Sequence, residues 1–223
     1  MALILNIETA TTNCSVALAK NGKTIAIKED NSKNYSHSER LHLYIQNVLD
    51  QTNLQLKDLD AIAISKGPGS YTGLRIGVSA AKGLCYSLGI PLISVLTLKS
   101  LACQVDIQKG NIVPMLDARR LEVYSAIFDH NYEIIRDTQA EILNENSFKD
   151  LLNADDVYFI GSGVEKSKLL ITHKNAHFIE EKLPSANEMN ILSFEKFTNN
   201  DLENVAYFEP FYLKDFVALK PKA

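Results

Sequence analysis

Ser65-Lys66-Gly67-Pro68-Gly69-Ser70-Tyr71-Thr72-Gly73-Leu74-Arg75 is the stretch on which the reading of this chain turns. Three glycines and a proline separate an apolar run, Ala61-Ile62-Ala63-Ile64, from a helical run over Leu74–Leu88. A strand, a glycine-rich turn and a helix start together offer a place for an anion. Backbone N–H groups point outward there, and the helix dipole adds about half a positive charge. The same arrangement also serves simply to turn a corner. The stretch lacks the GK[ST] ending of a P-loop, and Lys66 precedes the glycines instead of following them. Nor does the spacing of Gly67, Gly69 and Gly73 match the dinucleotide fingerprint. Farther along, Gly73, Gly77 and Ala81 recur every four residues, a small-residue face that admits another backbone closely. Glycine inside a helix costs about 1 kcal/mol relative to alanine, so a close contact must offset it. Packing on the chain's own core and docking on a partner helix both meet that need.

Outward from this stretch, apolar periodicity marks the elements. Leu3–Ile7, Ser15–Ala19 and Thr24–Lys28 read as strands, and Asn21-Gly22 is a type I′ hairpin signal. A polar loop, Glu29 to Ser36, leads into a helix over Ser38–Gln51, with Ser36 or Ser38 as its cap. Leu41, Tyr44, Ile45, Val48 and Leu49 form a single stripe along it. After the strand Ala61–Ser65, the glycine turn and the helix from Leu74 comes a strand at Pro91–Val95. The second half repeats the order. Strands fall at Ile112–Leu116, Glu122–Phe128 and Glu133–Asp137, then a short helix around Ser147–Leu152. A strand at Val157–Ile160, the turn Gly161-Ser162-Gly163 and a helix from Val164 follow. A βββαβα unit used twice predicts an α/β fold of two lobes, actin-like (ASKHA, ribonuclease H-like) in architecture. The lobes are expected at 1–105 and 106–223, with the boundary near Leu101–Gly110 and a tail element at Glu209–Leu213.

Composition bounds the function classes. The chain has 223 residues, 46% of them hydrophobic and 22% charged, an ordinary globular balance. A net charge of −4 supplies no cationic field, so any contact with nucleic acid is expected to be shared or indirect. Cys14, Cys85 and Cys103 are scattered and never form a CxxC pair, which speaks against a disulfide framework or a zinc site. Met1 to Ile7 has no basic flank and is too short for a signal peptide or a span. The sequence therefore reads as cytoplasmic, with no membrane partner.

Chemistry-bearing residues are few. Glu8-Thr9-Ala10-Thr11-Thr12 stands where nucleotide-binding actin-like proteins carry an acidic-x-Gly phosphate loop. Ala10 replaces the loop glycine and denies the same backbone approach. A reshaped phosphate loop and an ordinary polar turn are both compatible with this. Asp117-Ala118-Arg119-Arg120 occupies the matching place in the second half. An acid there could hold a metal-bound water and Arg119 could meet a phosphate; a solvated turn explains the residues equally well. Glu8, Thr9, Thr11, Gly67, Gly69, Asp117 and Arg119 are thus the residues of a vestigial nucleotide loop, if there is one. His37, Glu39 and His42 fail as a metalloprotease motif, because five residues turn the two histidines about 140° apart. His37 is then a helix-start residue and His42 a surface one. No general acid, general base, nucleophile or metal ligand stands out.

Taken together these residues resemble one family. Ile4-Leu5-Asn6-Ile7-Glu8-Thr9-Ala10 is similar to its opening motif, and His37-Ser38-Glu39-Arg40-Leu41 resembles its first helix. Lys66–Gly77 matches its most specific signature; Asp117-Ala118-Arg119 with Glu122-Val123-Tyr124, and the tail Pro210-Phe211-Tyr212-Leu213, complete the likeness. The family is TsaB (YeaZ), related to the old glycoprotease group. The resemblance implies a role in forming N6-threonylcarbamoyladenosine (t6A) at position 37 of ANN-decoding tRNAs. It implies a non-catalytic subunit: the paralogue TsaD transfers the threonylcarbamoyl group and carries a metal-binding histidine pair that this chain lacks. TsaE, an ATPase, joins the same complex, so ATP and a metal ion are expected in the partner subunits and no cofactor in this one. The heterodimer with TsaD, and a homodimer formed in isolation, are implied to use the two helices Ser38–Gln51 and Leu74–Leu88. Leu41, Tyr44, Ile45, Val48, Arg75, Gly77, Val78, Ala81 and Lys82 are the interface residues this gives. The competing readings are a stand-alone actin-like ATPase or small-molecule kinase, and the protease of the older family name.

Overall fold

The computed structural model describes residues 1–31 and 37–214. The cap expected from Ser36 lies outside them. The first sheet holds β1 (Leu3–Glu8), β2 (Cys14–Lys20), β3 (Lys23–Asp30), β4 (Ala61–Ser65) and β5 (Leu92–Val95) in the order β3-β2-β1-β4-β5. β1, β2 and β3 pair antiparallel; β4 and β5 add in parallel. Parallel addition needs crossovers, and α1 (His37–Thr52) and α2 (Tyr71–Leu88) supply them. The second sheet repeats the plan with β6 (Asn111–Asp117), β7 (Glu122–Asp129), β8 (Ile134–Ile142), β9 (Val157–Ile160) and β10 (Ala176–Ile179), ordered β10-β9-β6-β7-β8. Its crossovers, α4 (Lys149–Ala154) and α5 (Val164–Ser167), are one or two turns long.

Local chemistry accounts for several boundaries. Asn21 (φ 50°) and Gly22 (φ 77°) both take the left-handed conformation that a type I′ turn needs. α2 begins at Tyr71, ahead of the expected Leu74, because the Ser70 hydroxyl accepts the Gly73 N–H at 3.3 Å. It ends where Gly89 turns left-handed at φ 68°. β8 runs on to Ile142 instead of stopping at Asp137.

The two faces of the first sheet are built differently. Leu5, Ile7, Val16, Leu18, Ile62 and Ile64 form a large-side-chain face under α1 and α2. The opposite face is Ala2, Ile4, Ala17, Ala61, Ala63, Ile93 and Val95, mostly small, and α6 (Met189–Thr198) covers it with Met189 and Leu192. Small strand residues leave room for the bulky helix residues, which keeps the packing dense. α3 (Thr97–Ala102) makes the reciprocal move. It follows the first sheet in sequence but packs on the second, joining Leu98, Leu101 and Ala102 to Ile112, Leu116 and Phe128. Each half thus sends its last helix to the other lobe. α6, although it falls within 106–223, lies on β5, β1 and β4 of the first sheet. Among the described residues, no helix is long and apolar enough to cross a membrane.

Candidate functional site

The glycine-rich turn receives a segment of its own chain. An ideal Cβ at Gly69 would lie 2.4 Å from the Ala10 carbonyl oxygen, one at Gly73 2.1 Å from that of Thr9, and one at Gly77 2.2 Å from Thr9 Oγ1. The β1–β2 turn therefore rests directly on the start of α2, at distances no side chain permits. Hydrogen bonds fasten it there: Ser70 N–H donates to Ala10 O at 2.7 Å, and Thr9 Oγ1 donates to Gly73 O at 2.9 Å. His37, the first residue of α1 and buried, donates from Nε2 to Thr11 O at 2.7 Å. The small-residue face is thus occupied by β1 and its turn.

That placement buries most of the expected interface residues within the chain itself. Leu41, Tyr44, Ile45, Val48, Val78 and Ala81 are all buried in the cluster that α1 and α2 share with the sheet, and Gly77 lies against Thr9. Arg75 and Lys82 are engaged by the chain's own tail: Arg75 Nε donates to the Tyr212 hydroxyl at 3.1 Å, and Lys82 Nζ to Ala206 O and Phe208 O at 3.1 and 2.9 Å. A helical stripe announces that a face is covered, and here the covering is intramolecular.

Between the lobes lies a cleft of about 700 Å³. Thr11, Gly69, Asp117 and Arg119 of the expected nucleotide set line it, and Glu8, Thr9 and Gly67 do not. Tyr71, Tyr124, Ser162 and the tail residues Phe211–Lys214 also form its walls. Those residues carried no chemical signature in sequence, since a wall is recognisable only when both lobes are in place. The tail's aromatic pattern and the Gly161-Ser162-Gly163 turn were the available signals.

The two equivalent acids differ. Glu8 is fully buried behind the turn, its Oε1 accepting the Ala10 N–H at 2.6 Å while Oε2 has no hydrogen-bond partner among the described residues. Burial pushes its carboxyl up to about 7, against the lowering effect of the Ala10 N–H. Asp117 faces the cleft, accepts Arg119 N–H at 2.6 Å and pairs with Lys166 at 2.9 Å. The acid of the first turn is thus sealed in the core, and that of the second is paired at the cleft wall. Among the described residues, no three His, Cys, Asp or Glu side chains converge as a metal cradle. Burial also drives the thiols up, Cys14 and Cys103 to about 11 and Cys85 to about 12, which removes them as nucleophiles.

Two βββαβα units with a cleft between them, and a terminal helix sent from each to the other, define an actin-like two-lobed α/β protein. The sequence model of the family described as "TsaD: tRNA N6-adenosine threonylcarbamoyltransferase" matches residues 31–222. The tRNA threonylcarbamoyladenosine biosynthesis protein TsaB of Escherichia coli is 32% identical, over 97% of this chain and 96% of its own. TsaB of Haemophilus influenzae is 28% identical over 97% and 95%. The solved structure of YeaZ from Pseudomonas aeruginosa superposes with a TM-score of 0.82 at 25% identity, covering 96% of this chain and all of that one. The chain belongs to the TsaB family.

Proposed function

We propose that this chain is the non-catalytic partner subunit of the assembly that forms t6A at position 37 of ANN-decoding tRNAs, required by a TsaD-like catalytic subunit. The observation that carries this reading is the likeness to E. coli TsaB over nearly the full length of both chains. The character of the cleft supports it: the β1 acid is sealed at Glu8, Asp117 is tied to Lys166, and among the described residues no activated nucleophile lines the walls. A TsaE-like ATPase completes the assembly, ATP and a metal ion belong to the partner subunits, and tRNA meets this chain through the complex. In isolation the same docking surface serves a homodimer.

The docking surface is the outer face of α1 and α2. Leu43 is 62% exposed and Tyr86 86%, and among the described residues a Cβ at Gly83 meets nothing within 4 Å. Gly83 costs the helix about 1 kcal/mol with no internal contact that needs it, which suits the close approach of another backbone. Among the described residues, nothing in the geometry favours the ATPase, kinase or protease alternatives. Reconstitution tests the proposal. In an assay with the TsaD-like and TsaE-like partners, ATP and tRNA that supports t6A formation, omission of this chain is expected to abolish t6A in the tRNA by nucleoside mass spectrometry. Full modification without it sinks the reading. Gly83→Leu is expected to weaken association with the TsaD-like subunit at least tenfold by calorimetry.

A further inference from the structure

The segment after α6 runs back along the first lobe and finishes on the second. Glu203 joins the edge of β5, its N–H donating to Leu92 O at 2.8 Å while Ser94 Oγ donates to its carboxylate at 2.5 Å. Val205 and Phe208 enter the cluster beneath α2, and Lys82 holds the carbonyls on either side of Tyr207. Phe211 N–H donates to Lys66 O at 2.7 Å, on the glycine turn itself. A Cβ at Gly67 would lie 2.8 Å from the Phe211 carbonyl, so Gly67, at φ 112°, is what lets the segment pass. Tyr212 packs on Tyr71 with ring centroids 5.0 Å apart, and the Arg75 guanidinium sits 4.0 Å over the Tyr71 ring while donating to the Tyr212 hydroxyl. Lys214 then pairs with Glu122 at the start of β7, in the other lobe.

Contacts no more than three residues apart dock the segment as one unit, and its last four residues wall the cleft. We propose that residues 203–214 are an intramolecular strap that sets the opening of the interlobe cleft and ties it to α2. The grip on the first lobe is extensive, with Phe208 in the core and two cations of α2 committed to it. Among the described residues, the grip on the second lobe is one partly exposed ion pair. Such pairs are weak and screened by salt, so the strap lets go at Lys214 before it lets go of α2. Anything that displaces Arg75 or Lys82 on α2 is thereby felt at the cleft.

Spin labels on Lys20→Cys in β2 and Leu169→Cys in the second lobe read the lobe separation. The native thiols are buried or half-buried and compete poorly for the label. Tyr212→Ala and Glu122→Gln, both in the full chain, are expected to widen the interlobe distance distribution about twofold each. Together they are expected to widen it no more than Tyr212→Ala alone, because losing Tyr212 already frees Lys214. An unchanged distribution in both single variants overturns the strap. Independent, additive widening overturns it as well, since the two contacts would then not belong to one device. Tyr212 is only half-buried, and Glu122→Gln keeps the shape of its side chain, so neither change threatens the fold.

Discussion

The β1–β2 turn and the β6–β7 turn hold the same topological position in the two lobes, yet they were put to opposite uses. In the first, Glu8 is buried, Thr9 and Ala10 are pressed onto Gly69, Gly73 and Gly77, and the turn becomes part of the core. In the second, Asp117 faces the cleft, and Arg119 and Arg120 both take left-handed backbone at φ 73° and 50°. Lys166 braces that turn, reaching Asp117 and the Arg120 carbonyl at 2.9 and 2.7 Å. The crossovers that follow differ in the same sense. α2 has 18 residues and a left-handed Gly89 at its end, and α5 has four. A duplicated fold does not duplicate its chemistry: one turn has become scaffold, and the other remains an exposed, cationic rim.

The largest effect should come from the glycine contacts. Gly73→Ala drives a methyl group into the backbone oxygen of Thr9, which cannot move without displacing β1. A loss of about 3 kcal/mol or more is expected in urea unfolding. Gly163→Ala, in the equivalent turn of the second lobe, meets side-chain atoms of Val123 and Met115 at 2.9 and 3.0 Å. These can adjust, so about 1 kcal/mol is expected. Equal costs at the two positions would break the contrast between the lobes.

Glu8 gives the next effect, and its sign is fixed. The folded-state carboxyl titrates at about 7, above its ordinary value of 4.5. Its contribution to stability is therefore fully present below about pH 4.5 and lost as pH rises through 7. Across that window the protein should lose up to about 3 kcal/mol from this group. Glu8→Gln should flatten the profile and be the more stable protein at pH 8, as read from denaturant midpoints at a series of pH values. A Glu8→Gln protein less stable than the parent at pH 8 would mean that the charged form is stabilised by something beyond these contacts.

Asp117→Asn should matter least. Its side chain is 48% exposed and its ion pair with Lys166 lies at the surface, so under about 1 kcal/mol is expected, shrinking further in high salt. A large effect there would show that the second turn is as much a part of the core as the first.

How much of this was legible depended on whether a signal was local. Asn21-Gly22 announced its hairpin because the turn type restricts the residues that can form it. The α1 stripe was legible because burial on one side of a helix imposes its period on the sequence. β10 and α6 were not. α6 carries apolar residues on several faces, with Ile191 49% exposed beside buried Leu192, so its pattern names no single side. Asn6, a polar residue in β1, is fully buried because Asn190 bonds to it at 2.8 Å from 184 positions away. No local rule reaches that far. The expected interface residues show the same limit: Leu41, Val48, Gly77 and Ala81 mark a covered face, but periodicity does not say what covers it. Chemical character at the cleft was half visible, since Glu8 and Asp117 could be matched by position while their environments could not.

The sequence by itself determined the two βββαβα units, the family and the close approach at the glycines, because each is written in short-range pattern and spacing. Only the tertiary structure decided that the close approach at Gly73 and Gly77 is made by the chain's own β1 turn. It also decided that Arg75 and Lys82 hold the tail, and that α3 and α6 change lobes. Hydrophobic burial is non-directional: it requires that an apolar face be covered and leaves the choice of cover to whatever the whole chain brings within reach.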